Sequence, residues 1–249
     1  MTAESGVIAA VILGFLLGFK HATDADHVLA VSTVVNEYRN IFRGLWVGAS
    51  WGLGHTVPLL VVGLIILAFK GPVMDVYENI APVFEFGVGI MLVFLGIQVY
   101  WNLRKGLLHT HQHAHDGTAH LHIHGTHEPI EDPDVEKQHG MFKPGKPFFR
   151  IKSFIIGSLH GLAGTAAVML ALLPTTSSFL SGILYIVMFG IGTILSMAII
   201  TIVLGIPFVL SGGHQKVNNI INGTAGAAST LFGFALMSDI ALGTQIIPF

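Results

Sequence analysis

Seven residues carry most of the chemistry this chain could do: His21-Ala22-Thr23-Asp24-Ala25-Asp26-His27. They set two imidazoles and two carboxylates among small neighbours. Val7 to Phe19 before them carry no charge, and neither do Val28 to Val35 after them. Ionisable groups in so apolar a segment are costly in lipid, so they need partners or a purpose. Imidazole and carboxylate without sulfur suit Ni2+, Co2+, Mn2+ or Zn2+, and the chain has no Cys to add a thiolate. His21 and Asp24 are three positions apart, as are Asp24 and His27, so each pair shares a helix face. His21 and His27 are six apart, about 240° round an ideal helix. A straight helix cannot aim both at one ion. Either the helix breaks here, or part of the motif binds metal and the rest supports it. The alternative without metal is a buried ion-pair network that starts with Lys20 and Asp24 at i, i+4.

Other histidines extend the set. His55 lies in Trp51-Gly52-Leu53-Gly54-His55-Thr56-Val57-Pro58, among glycines that permit close approach. Pro58 cannot donate its helical hydrogen bond and is expected to kink the helix, freeing carbonyls beside His55. His160 opens His160-Gly161-Leu162-Ala163-Gly164-Thr165 and could be a ligand, a gate or a packing residue. Thr193, Ser196, Met197 and Thr201 could line a pathway, although helix packing explains such residues equally well. Glu85 and Asp239 fall nearer span ends, where solvation is the default. Nine of the 14 histidines lie between His109 and His139, interleaved with acidic residues. His-rich tracts read as metal-binding, and this one has few apolar residues to fold on. It is either a chelating antenna or a solvated linker.

The elements that hold these groups are membrane spans. The chain has 249 residues, 52% hydrophobic and only 10% charged, with mean hydropathy +0.72. Soluble domains carry about 25% charged residues. A net charge of −2 gives no basis for nucleic-acid binding. Met1 to Ser5 hold no basic residue, so no cleaved signal peptide is expected. Six segments reach the ~20 apolar residues that a spanning helix needs: about 6–35, 44–69, 80–101, 148–173, 179–210 and 217–247. The first is long enough for a tilt or a break near the motif. Arg39, Arg43, Arg104, Lys105, Lys137, Lys143, Lys146, Arg150, Lys152 and Lys216 fall in loops on one side, and only Lys70 on the other. The positive-inside rule then puts the His-rich loop in the cytoplasm and both termini outside, in the cell (inner) membrane.

The chain also repeats itself. Phe15-Leu16-Leu17-Gly18-Phe19-Lys20-His21-Ala22 matches Phe154-Ile155-Ile156-Gly157-Ser158-Leu159-His160-Gly161 at an offset of 139. Trp51-Gly52-Leu53-Gly54 matches Phe189-Gly190-Ile191-Gly192 at 138, and Gly89 and Gly96 match Gly226 and Gly233 at 137. Three spans per half is an odd number, so the halves enter the membrane from opposite sides. The expectation is an all-α integral membrane protein, a 3+3 inverted-topology repeat with sites near the midplane. Its parts are a first three-helix repeat over 1–101, a His-rich cytoplasmic loop over 102–147 expected to be disordered, and a second repeat over 148–249.

Lys20-His21-Ala22-Thr23-Asp24-Ala25-Asp26-His27 resembles the signature of the nickel/cobalt transporter (NiCoT) family, and Leu53-Gly54-His55-Thr56 resembles its second motif. The second half, with His160-Gly161-Leu162-Ala163-Gly164-Thr165 and Phe189-Gly190-Ile191-Gly192-Thr193, is more similar to the urease-accessory-type branch of nickel permeases. It also resembles His-loop nickel/cobalt efflux proteins. Typical family members have eight spans where this chain reads as six. The resemblance implies a secondary permease for Ni2+ or Co2+, with His21, Asp24, Asp26, His27 and His55 handling metal; His160 joins them as the repeat mate of His21. No enzyme and no cofactor is expected. The metal is the transported substrate, the bilayer is the other partner, and nickel-enzyme maturation proteins are possible recipients. Efflux fed by the His-rich loop is the alternative, and an intramembrane metalloenzyme a weaker one, since no His-Glu-x-x-His is present. Deleting residues 107–139 is expected to alter metal movement without abolishing it, as measured by cell-associated nickel.

Overall fold

A computed structural model describes residues 3–35, 41–69, 71–105, 109–115, 118–124, 149–162, 173, 176, 178–211 and 214–247. Among these, seven helices carry the architecture: α1 (Ala3–His21), α2 (Ala25–Val34), α3 (Ile41–Phe69), α4 (Gly71–Arg104), α5 (Ile151–His160), α6 (Phe179–Leu210) and α7 (Gln215–Leu242). Five of them are long and apolar enough to cross a membrane: α1, α3, α4, α6 and α7. The fourth expected span is described only over α5 and the turn after it; most of its remainder lies outside the described residues. The His-rich loop contains one antiparallel pair of strands, β1 (His109–His115) and β2 (Thr118–His124). Most of the rest of that loop, for which disorder is the sequence expectation, lies outside the described residues.

The burial pattern is that of a protein in lipid. Large apolar side chains point outward, such as Leu16 at 57% exposure, Phe94 at 65% and Leu231 at 69%, while His55 is at 0% and His27 at 1%. Backbone polar groups in hydrocarbon must be satisfied within the chain, and helices do so.

The first span is broken. α1 stops at His21, the chain turns through residues 22–24, and α2 starts at Ala25. Local hydrogen bonds hold the break: Thr23 N–H donates to the Lys20 carbonyl at 2.8 Å, Asp24 N–H to the His21 carbonyl at 3.1 Å, and the Thr23 hydroxyl to the Lys20 carbonyl at 2.6 Å. Asp24 is the N-cap of α2 in extended conformation, yet its side chain makes no cap bond. It is used elsewhere, as described below. The mirror feature is α5, which also ends on a histidine, His160. α3 runs on through Pro58 as one helix.

Helices meet at glycine. α1 packs on α6, α5 on α3, α3 on α6 and α4 on α7. A Cβ at Gly18 would collide with the Phe189 backbone, and one at Gly157 with the Trp51 backbone. A Cβ at Gly54 would collide with the Phe154 carbonyl, and one at Gly192 with that of Phe15. Gly89 and Gly233 approach each other in the same way as Gly226 and Gly96. Small residues are what let helix backbones pack closely where lipid removes the hydrophobic drive between helices. These contacts map onto one another at the sequence offsets: Gly18 with Phe189 becomes Gly157 with Trp51, and Gly54 with Phe154 becomes Gly192 with Phe15.

Gly54→Val is expected to lower stability by roughly 1–3 kcal/mol or more, because the new side chain meets backbone that cannot yield. Gly87→Ala and Gly223→Ala, where a Cβ meets nothing within 4 Å, are expected to change stability by less than about 0.5 kcal/mol. Thermal unfolding of the purified protein in detergent checks both.

Candidate metal centre

The break in the first span brings the expected residues together. His21 closes α1, Asp24 sits in the turn, Asp26 and His27 occupy the first turn of α2, His55 projects from the middle of α3, and His160 closes α5. A straight helix would point His21 and His27 apart; here their ring centroids are 4.5 Å from one another. The His55 ring lies 4.8 Å from each of them. His160 stacks on His27 with centroids 4.0 Å apart. All four histidines are buried, none more than 4% exposed. All six residues singled out from sequence therefore share one cluster.

The hydrogen bonds assign the protons when the imidazoles are neutral. A carboxylate only accepts. His21 Nδ1–H therefore donates to Asp24 Oδ2 at 3.2 Å, His27 Nδ1–H to Asp26 Oδ1 at 3.0 Å, and His160 Nε2–H to Asp26 Oδ2 at 3.0 Å. With its proton on Nδ1, His21 accepts at Nε2, and His55 Nε2–H donates to it at 2.8 Å. Three lone pairs are left over. His27 Nε2, His55 Nδ1 and His160 Nδ1 are buried without a hydrogen-bond partner among the described residues. Buried polar atoms without partners are rare and call for an explanation, of which an absent ion is one. Two groups of three can each offer ligand atoms within 4.8 Å of one another: His21, His27 and His55, and Asp26, His27 and His160. His27 belongs to both.

The supporting groups follow the pattern of metal sites. A ligating histidine usually donates its second N–H to a carboxylate, which fixes the ring and raises its basicity. Asp24 does this for His21, and Asp26 for both His27 and His160. The Asp26 carboxylate also accepts the His27 backbone N–H at 2.9 Å, at the N-terminal turn of α2, where the helix dipole favours negative charge. α1 and α5 both present their C-terminal ends to the cluster, and a helix C-terminus favours a cation. Lys20 does pair with Asp24 at 3.6 Å, but its side chain is 73% exposed. The ion-pair alternative thus accounts for the rim of the cluster and leaves its histidine interior unexplained.

Two aromatic walls were not singled out from sequence. Phe189 packs on His21 with centroids 5.5 Å apart, and Trp51 lies edge-on to His160 at 6.2 Å. The signal was available, because Trp51 and Phe189 occupy matching positions at an offset of 138, as His21 and His160 do at 139. The fifth-span hydroxyls divide. Thr193 donates to the Phe189 and Gly18 carbonyls and Thr201 to the Met197 carbonyl, which is helix packing. The Ser196 hydroxyl is buried without a partner among the described residues. Asp239 accepts from the Thr244 hydroxyl and from the Ile246 and Ile247 N–H groups, tying down the C-terminal tail.

No family model matches the chain, and no solved structure matches it. The chloroplast protein FOR GROWTH AND FERTILITY 1 of Arabidopsis thaliana is 25% identical over 204 residues, which is 82% of this chain but 51% of that protein. The urease accessory protein UreH of Bacillus sp. (strain TB-90) is 38% identical over 236 residues, covering 95% of this chain and 93% of that one. With that identity held across nearly the full length of both, the chain belongs to the family of the urease accessory protein UreH.

Proposed function

We propose that this protein is a multi-pass membrane permease for a divalent transition metal, Ni2+ first and Co2+ second, and that it works by uptake rather than as an enzyme. The observation that carries the reading is the buried cluster of four imidazoles at the break in the first span. Three of its ring nitrogens lack a partner among the described residues. Imidazole with carboxylate suits Ni2+ and its neighbours in the first transition row. A discontinuous helix that lines a buried polar site is a transporter feature. The relative's name, a urease accessory protein, supports a role in supplying another protein rather than catalysis by this chain. Proteins that mature a nickel enzyme are natural recipients of the ion.

An entering ion loses water to the Nε2 atoms of His21, His27 and His55, and the His55 proton moves from Nε2 to its own Nδ1 as the bond to His21 opens. Asp24 and Asp26 hold the rings and offset part of the charge. His160 and Asp26 receive the ion next, with His27 common to both positions. The two halves then rock about the site as an inverted 3+3 repeat. The exchange of glycine contacts between halves supports that symmetry. The count of Lys and Arg in the loops supports a His-rich segment in the cytoplasm and both termini outside. A membrane potential of 100 mV favours inward movement of a divalent cation by ~4.6 kcal/mol, from ~2.3 per charge.

Export is the second reading, favoured by one feature: nine histidines on the cytoplasmic side could collect excess metal. Expression in cells separates the two. Uptake raises cell-associated nickel and export lowers it.

In proteoliposomes offered Ni2+, Co2+, Zn2+ and Mn2+ in competition, Ni2+ flux is expected to dominate and to vanish in His27→Ala; full flux in that variant would sink the assignment. Asp26→Asn keeps one acceptor oxygen but loses the charge and the double bridge. Its Ni2+ affinity is expected to fall about 10–100-fold, the usual effect of losing a ligand's supporting carboxylate. Titration of the purified protein against a chromophoric chelator measures it.

A further inference from the structure

α4 carries one charge on a face that is otherwise uncharged and buried. Tyr77, Ala81, Val88, Leu92, Leu95 and Val99 are all buried. Glu85 fills the gap between Ala81 and Val88, so the series steps by three or four throughout, the spacing of one helix face. In the sequence Glu85 falls near the start of a span at about residue 80, where solvation is the default. The helix begins earlier, and its stretch long and apolar enough to span runs from Val76 to Arg104. At 1.5 Å per residue Glu85 lies ~14 Å past Val76, about half the depth of a ~30 Å hydrocarbon core. A carboxylate at that depth is costly unless something holds its charge.

Its surroundings point to what does. α4 packs on α2, which carries Asp26 in its first turn. Tyr77 and Ala81 belong to the apolar core with Phe189, and Val88 and Leu92 to the one with Trp51. Glu85 therefore sits at the seam between the two cores, as the histidine cluster does. Its carboxylate is within electrostatic reach of Asp26 and of the Tyr77 hydroxyl. That hydroxyl is buried, with Tyr77 only 4% exposed, and has no hydrogen-bond partner among the described residues. Among the described residues no Lys or Arg pairs with Glu85 or Asp26; Lys20 reaches Asp24 instead. Two carboxylates in a low-dielectric interior repel strongly, and a divalent cation between them turns that repulsion into attraction. Asp26 has room for one. A carboxylate offers about four lone-pair sites, and its hydrogen bonds come from the His27 backbone and ring on Oδ1 and from His160 on Oδ2. The second half carries Asn222 at the position matching Glu85, offset by 137 as Gly226 is from Gly89, and it too is buried. A polar residue recurs there and the charge does not, just as the carboxylates of residues 21–27 have no counterpart after His160.

We infer that Glu85 is a further metal-handling residue, and that a divalent transition-metal cation is held between its carboxylate and that of Asp26 on the way to or from the histidines. This rests on the permease reading, and the test separates the two. Ni2+ flux into proteoliposomes of the full chain is measured against Ni2+ concentration. Glu85→Gln keeps the shape and removes the charge. Its half-saturating Ni2+ concentration is expected to rise about tenfold, the lower end of what losing a carboxylate beside a metal costs, with thermal unfolding in detergent unchanged. Glu85→Asp restores the charge and is expected to recover most of the loss. An unchanged half-saturation in Glu85→Gln, or an equal rise in both variants, overturns the inference and leaves the permease reading standing. Absence of flux from the parent chain counts against the permease reading instead, and a second measurement then decides. A hydrophobic carbodiimide modifies carboxyl groups within the membrane, and mass spectrometry of the full chain locates the adduct. Ni2+ is expected to lower labelling at Glu85 several-fold, and Mg2+ to leave it unchanged. Labelling that Ni2+ does not lower overturns the inference.

Discussion

One carboxylate ties the structure together. Asp26 accepts a hydrogen bond from His27 beside it and another from His160, 134 positions away in the chain. In a low-dielectric interior such a charge is tolerable only when its neighbours satisfy it. The neighbours must therefore arrive from both halves of the molecule. Losing one side of that bridge leaves a buried charge half satisfied. The rest of the fold can be read as what it takes to bring those partners to Asp26.

Two devices achieve that. The first is helix termination. α1 ends at His21 and α5 at His160, so each histidine sits where a helix gives way to a turn and can be aimed inward. Asp24 is free to hold His21 because it leaves its capping position unused. The second is close approach. Gly18, Gly54, Gly157 and Gly192 let α1 reach α6 and α5 reach α3 with backbone against backbone. Without that proximity the rings of His55 and His160 could not come within 5.7 Å of one another. Both devices are needed, since a broken helix held at ordinary packing distance would leave its histidines short of their partners.

The cluster also joins two apolar cores. Phe189 belongs to a group with Leu59, Ile66 and Tyr185, and Trp51 to one with Ala22, Val47 and Leu92. Each aromatic faces one histidine. The buried histidines are thus walled by aromatic rings, and a low-dielectric setting strengthens the hydrogen bonds among them.

Much of this was legible in the sequence. Composition and apolar runs give membrane helices, because a bilayer demands some twenty apolar residues per crossing. The density of His and Asp within residues 21–27 marks the site, because lipid penalises such groups individually. The six-residue spacing of His21 and His27 even poses the question of a break, since helix periodicity alone forbids both from facing one ion. Sequence cannot decide the answer. The sharing of Asp26 between His27 and His160 and the placement of Trp51 and Phe189 against the rings depend on contacts between positions more than a hundred residues apart. Those contacts are set by how glycine-bearing helices cross, and local pattern carries no record of a crossing partner. The motif names the chemistry, and only the packing of the two halves turns it into a site.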